Sequence, residues 1–178
     1  SDLSTDTAYA GIGYSVKKGV NDDVNIVVGC SHIYNNKGQG LRYKLSQIEN
    51  PILDNKNNPY LTYEESYKLG INIVELFVKS MDKMPHRVVI HKRTPFKENE
   101  IKGITDALSH TGIKNVDLVT ITMEESIKCI EQTIRDSQIY NSRFPLSRGI
   151  CFAVSQYSCL LWTHGTIDSI MPNRNYYP

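Results

Sequence analysis

The stretch VVIHKRTPFKENEIKGI, residues 88–104, constrains the fold more than any other. Val88, Val89 and Ile90 follow one another without a polar break, as in an interior strand of a sheet covered on both faces. The run stops at His91, Lys92 and Arg93, and a helix start follows at once. The Thr94 hydroxyl can cap a helix whose first residue is Pro95, a position that needs no N–H. The spacing turns Phe96, Ile101, Ile104, Ala107 and Leu108 inward and ends that helix around Gly112. NVDLVTIT, residues 115–122, is apolar again a few residues later. Strand, helix and strand therefore form a crossover unit with parallel strands.

Upstream, AYAGIGYSV (8–16), VNIVVGCSHIY (24–34) and GLRYKLSQI (40–48) are rich in Val, Ile and Tyr and are parted by turn-forming KKGVNDD and NNKGQG. Short connections between three strands predict an antiparallel meander. After ENPILDNKNNP the period changes, and Tyr63, Tyr67, Ile71, Val74, Phe77, Val78 and Met81 recur at helical spacing. Thr62 with Glu65 three residues later is a capping-box pattern, and Pro85 ends the helix near Lys83. EESIKCIEQTIRD leaves a further helix through Ile127, Ile130 and Ile134 and a non-helical segment equally open. GICFAVS and SCLLWTHG, parted by QY, read as a hairpin.

A meander, a helix, then parallel strands with crossover helices is the element order of a ribonuclease-H-like α/β fold: a mixed sheet, here with a C-terminal hairpin. With 178 residues, 40% of them hydrophobic, the chain can bury one sizeable core, and nothing in its middle resembles a linker, so one domain over residues 1–178 is expected. A formal net charge of +1 excludes a polybasic nucleic-acid binder, so any anion site is a local patch. The four cysteines, Cys30, Cys129, Cys151 and Cys159, lack CxxC spacing and predict buried, reduced thiols in a cytoplasmic protein. No apolar stretch approaches the ~20 residues that cross a bilayer. The five histidines show no paired zinc spacing, and the Ser and Cys residues lack a nucleophile context, so no metal or other cofactor is assigned.

Nucleases of this architecture set carboxylates at neighbouring strand ends, because two Mg²⁺ ions need oxygen ligands close enough to clamp the attacking and leaving oxygens of a phosphodiester. Within AGIGYS the acid position holds Gly13, and the end of the middle strand offers His91, Lys92 and Arg93. A two-metal site then lacks half its ligands.

AGIGYSV, HRVVIHKRTPFKENEIKGI, VDLVTIT and CLLWTHGTIDSIMPNRNYYP together resemble the PIWI domain of Argonaute proteins, above all the short prokaryotic Argonautes, from Ala8 to Pro178. Cleaving members of that family carry an Asp after the G-x of the first strand and another in an Arg-Asp-Gly stretch, where this chain reads Gly13 and Arg93. The resemblance thus implies a catalytically inactive nuclease site. For the family's third acid Glu64 or Glu65 is the nearest candidate, and Glu65 is more simply accounted for as the capping partner of Thr62. The resemblance also implies a partial domain, with the Argonaute middle domain before Ser1 and a last PIWI segment after Pro178.

What remains is a phosphate-holding surface. Family resemblance points to Lys128, His164 and Arg174 as contacts to a guide and target duplex, RNA or DNA, each readable alone as an ordinary solvated side chain, and Glu124 and Glu125 beside Lys128 would repel a phosphate. Lys92 and Arg93 are the stronger expectation, because a strand end fixes them in the former active-site cleft. In the short Argonautes it resembles, target recognition switches on a separate effector, often sirtuin-like or TIR-like, in prokaryotic defence. A ribonuclease-H-like, metal-dependent guide-directed nuclease with displaced acids is the alternative, and a scaffold that binds only protein is a third.

Overall fold

A computed structural model of the chain describes residues 6–18, 25–34, 40–48, 52–123, 127, 129–142 and 146–164, with backbone alone for 16–18, 25–34 and 41–47. Its contacts divide it into two compact units, residues 1–123 and 124–178. No helix among the described residues is long and apolar enough to cross a membrane.

In the first unit β1 (Thr7–Lys18), β2 (Asn25–Tyr34) and β3 (Gly40–Ile48) form the expected antiparallel meander. A small ladder of β4 (Ile52–Leu53) and β5 (Pro59–Tyr60) leads into α1 (Tyr63–Met81). β6 (Arg87–Lys92), α2 (Glu98–His110) and β7 (Asn115–Thr120) then form the crossover unit. The sheet order is β3-β2-β1-β6-β7, with β1, β6 and β7 mutually parallel. This is a mixed, ribonuclease-H-like sheet.

The period-2 geometry of β1 and β6 builds the core. Ala8, Ala10 and Ile12 stand in register with Val88, Ile90 and Lys92, and all six are buried. The apolar members pack with Ile73, Val74 and Phe77 of α1 and with Ile104 and Leu108 of α2. Val89, on the opposite face, is only half-buried, so among the described residues β6 is not closed on both faces as its apolar run predicted.

α1 carries the predicted capping box, with Glu65 N–H donating to Thr62 Oγ1 at 3.2 Å and Thr62 N–H to Glu65 Oε2 at 2.9 Å. Its most buried face runs through Ser66, Gly70, Ile73, Val74 and Phe77, rotated from the predicted stripe, because small residues seat it on α2. A Cβ added to Gly103 would stand 2.4 Å from the Tyr63 carbonyl oxygen and 2.8 Å from Ser66 Cβ; one on Gly70 would stand 2.7 Å from Ala107 Cβ. Such backbone approach is open to glycine alone.

Two local expectations are corrected here. α2 begins at Glu98, not Pro95, with Lys97 at its N-cap, and the Thr94 hydroxyl is buried without a hydrogen-bond partner instead of capping. The cap fails because the turn runs three residues further before helical geometry sets in. Ile101 is 44% exposed, not inward, since Gly103, Ile104, Ala107 and Leu108 take the buried face.

In the second unit, β8 (Gln132–Arg135) and β9 (Gln138–Asn141) form a hairpin where a helix through Ile134 was one of two expectations. Asp136 and Ser137 at its turn both take positive φ, 48° and 62°, which suits a two-residue hairpin loop and stops any helix. β10 (Cys151–Ser155) and β11 (Ser158–Leu161) form the predicted C-terminal hairpin. Cys151 and Cys159 are exposed on it, contrary to the buried thiols expected, because a two-stranded ladder covers neither face; Cys129 is half-buried. The side chain of Cys30 lies outside the described residues.

Candidate nucleic-acid interface

The site is set by where β1 and β6 stop pairing. Ile12 and Lys92 are the last registered partners of the parallel ladder, so Gly13 and Arg93 are the next residue on each strand. The two positions that the family resemblance gives to its first acids thus follow one registered pair, Arg93 just past the end of β6 and Gly13 within β1, where it still pairs with Cys30. Gly13 is exposed, and a Cβ built on it would meet nothing within 4 Å. Arg93 is exposed too, and no described residue makes an ion pair or hydrogen bond with it. Among the described residues the Arg93 side chain is thus unpaired, and Gly13 leaves its own position without a side chain.

Lys92 differs from the expectation. Its parity along β6 matches Val88 and Ile90, so it points into the core and is 2% exposed, while Glu100 from the first turn of α2 is 1% exposed. Lys92 Nζ donates to both carboxylate oxygens of Glu100, at 2.6 and 2.7 Å. The ammonium also lies 4.8 Å from the Tyr60 ring centroid and 4.7 Å from that of Phe96. Lys92 is therefore corrected from a phosphate-facing cation to an internal one: a group this enclosed and neutralised cannot meet a solvated phosphate.

Glu100 is saturated. Besides Lys92 it accepts the backbone N–H of Lys97 at 2.8 Å and of Leu61 at 3.3 Å. Tyr14, two residues beyond Ile12 on β1, buries its hydroxyl near the Glu100 carboxylate. Burial pushes that phenol well above the usual tyrosine range, and the negative charge of Glu100 adds to the effect. Burial also pulls Lys92 below an ordinary lysine despite Glu100, and keeps His91 below an ordinary histidine. The His91 ring lies against Gly11, its partner across the ladder, where an added Cβ would come within 2.9 Å of Nε2. Asp54 accepts from Asn58, and from the Tyr60 hydroxyl at 3.3 Å, and these bonds hold its pKa down at about 2.

These residues do not fit a pair of Mg²⁺ ions. Gly13 and Arg93 offer no oxygen, Glu100 has its oxygens engaged by three donors, and Glu65 is committed to Thr62. No three His, Cys, Asp or Glu residues among those described are grouped as metal ligands. Of the two cations here, Lys92 is neutralised by Glu100, while Arg93 is exposed and unpaired among the described residues.

The other expected contacts fall in the second unit. His164 is exposed at the foot of the β10–β11 hairpin, edge-on to Trp162 with ring centroids 6.5 Å apart. Lys128, Arg174, Glu124 and Glu125 lie outside the described residues. The residues around Lys92 that sequence reasoning did not single out as its partners are Glu100 and Tyr60. Strand parity was the signal for the first, since it sends Lys92 inward and obliges an acid to follow it.

No protein-family model matches the chain, and no curated protein does so significantly. Solved structures do. The A. aeolicus Argonaute matches with a TM-score of 0.52 at 19% identity over 88% of this chain, and Aa-Ago with externally bound siRNA with 0.53 at 19% over 90%. The Marinitoga piezophila Argonaute in complex with 5′-OH guide RNA and target DNA matches with 0.50 at 17% over 79%. The chain spans about a fifth of those chains, 20%, 20% and 22%. At such identity the likeness establishes the fold, which is PIWI-like.

Proposed function

We propose that this chain is a catalytically inactive PIWI domain that holds a guide and target nucleic-acid duplex and passes target recognition to an associated effector. The observation that carries the reading is that Gly13 and Arg93 are the residues next after Ile12 and Lys92, the last registered pair of β1 and β6. Gly13 and Arg93 bring no carboxylate with which to clamp metal ions across a phosphodiester. The arginine supplies a charge of the sign those ions would have brought, and a planar fork suited to phosphate oxygens. Such contacts position a duplex without reading its sequence. His164, Lys128 and Arg174 belong to the same proposal as further backbone contacts. So do an Argonaute middle domain, a sirtuin-like or TIR-like effector, a cytoplasmic site of action and a role in prokaryotic defence.

The test uses the full-length protein that carries this chain, loaded with a 5′-OH guide RNA and given a matching target DNA. Binding is expected in EDTA as well as in Mg²⁺, with the target left intact in both. Metal-dependent cleavage that disappears on changing Glu64 or Glu65 would overturn the reading in favour of a nuclease with displaced acids.

A further inference from the structure

Resting on the reading of Arg93 as a phosphate contact, we infer that Lys92 and Glu100 are positioning residues, whose buried pair fixes the backbone that carries Arg93 while neither touches the nucleic acid. Three chain segments converge on the Glu100 carboxylate: the end of β6 through Lys92, the N-cap of α2 through the Lys97 N–H, and the entry to α1 through the Leu61 N–H. Arg93 lies inside the loop that two of these contacts close. The turn has no side-chain brace of its own at that point, since the Thr94 hydroxyl is buried without a partner and Arg93 bonds to no described residue. Its conformation is therefore set from beneath, by a pair shielded under Tyr60 and Phe96. A hydrogen bond from the Tyr60 hydroxyl to Asp54 holds that lid in turn.

Opposite charges in the pair make the inference separable from plain electrostatics. K92M/E100Q removes one positive and one negative charge together, so the net charge presented to a phosphate is unchanged. Any fall in the salt dependence of binding then means that another cation has moved off its phosphate, and Arg93 is the cation the pair supports. Keeping volumes similar while removing both partners also avoids the uncompensated buried charge that a single replacement leaves.

The experiment compares wild type, R93A, K92M/E100Q and the triple variant in the full-length protein, with a 5′-OH guide RNA and its matching target DNA across a salt series. K92M/E100Q is expected to bind several-fold more weakly, with its log–log salt slope reduced by about 0.9, the value for a single phosphate contact. R93A should show the same reduction, and the triple variant should match R93A. K92R, which keeps the pair, should retain the wild-type slope. A wild-type slope in K92M/E100Q beside a reduced slope in R93A overturns the positioning role and leaves the proposed function standing; so does a triple variant that loses more than R93A. A wild-type slope in R93A overturns both. If thermal melting shows K92M/E100Q to be unfolded, E100D draws the carboxylate back by one methylene at constant charge, and a slope unchanged there overturns the inference equally.

Discussion

Lys92 and Glu100, eight residues apart in sequence, close an ion pair at 2.6 and 2.7 Å in which both side chains are fully buried. Removing one member strands the other: Lys92→Met leaves a buried carboxylate with only backbone donors, and a cost of about 3–5 kcal/mol is expected. The matched K92M/E100Q replacement should cost markedly less. Urea denaturation of both variants checks the difference.

Phe77 is 0% exposed in the cluster joining α1 to β1, β6 and α2. Phe77→Ala should lower stability by about 3–5 kcal/mol, through reduced burial and the cavity left behind. A drop below about 1 kcal/mol in the same titration would mean that this face of α1 is not seated on the sheet.

Gly103→Ala should be disruptive out of proportion to one methyl group. The new Cβ meets the Tyr63 carbonyl and Ser66 at distances no real Cβ tolerates, and the carbonyl belongs to a helix that cannot yield by a rotamer change. A loss of about 1–3 kcal/mol or more is expected, against near neutrality for an alanine at exposed Asn99.

Asp54 should titrate at about 2 in the folded protein, because Asn58, the Lys56 N–H and the Tyr60 hydroxyl all favour its ionised form. The folded pKa lies below the unfolded value near 3.9, so its stabilising contribution is complete above about pH 4 and fades as pH falls through about 2. Carboxyl chemical shifts followed by NMR give the midpoint; Asn58→Ala should raise it.

Much of the first unit could be read directly from the residues. The meander, the capping box at Thr62 and Glu65 and the crossover through residues 88–120 follow from local patterns strong enough to survive tertiary packing. The parallel pairing of β1 with β6 was legible as well, because a continuous apolar run suits an interior strand. Three features were not. The rotation of α1 depends on Gly70 and Gly103 finding each other's helices, a long-range fit with no periodic signature. The start of α2 depends on Glu100 being drawn inward to Lys92, which displaces the cap from Thr94 to Lys97. The β8–β9 hairpin is decided by two positive-φ residues whose identities, Asp136 and Ser137, allow that conformation without requiring it.

The seat of α1 on α2 also governs how movement travels. At Gly103 and Gly70 the opposing surfaces are glycine Cα atoms set against backbone and short side chains, so the contact contains almost no rotatable bonds. A displacement at the start of α2, where the Arg93 turn ends, cannot be absorbed there by changes of χ angle. The turn that carries Arg93 thus leads directly into a helix held against α1 through backbone at these two glycines.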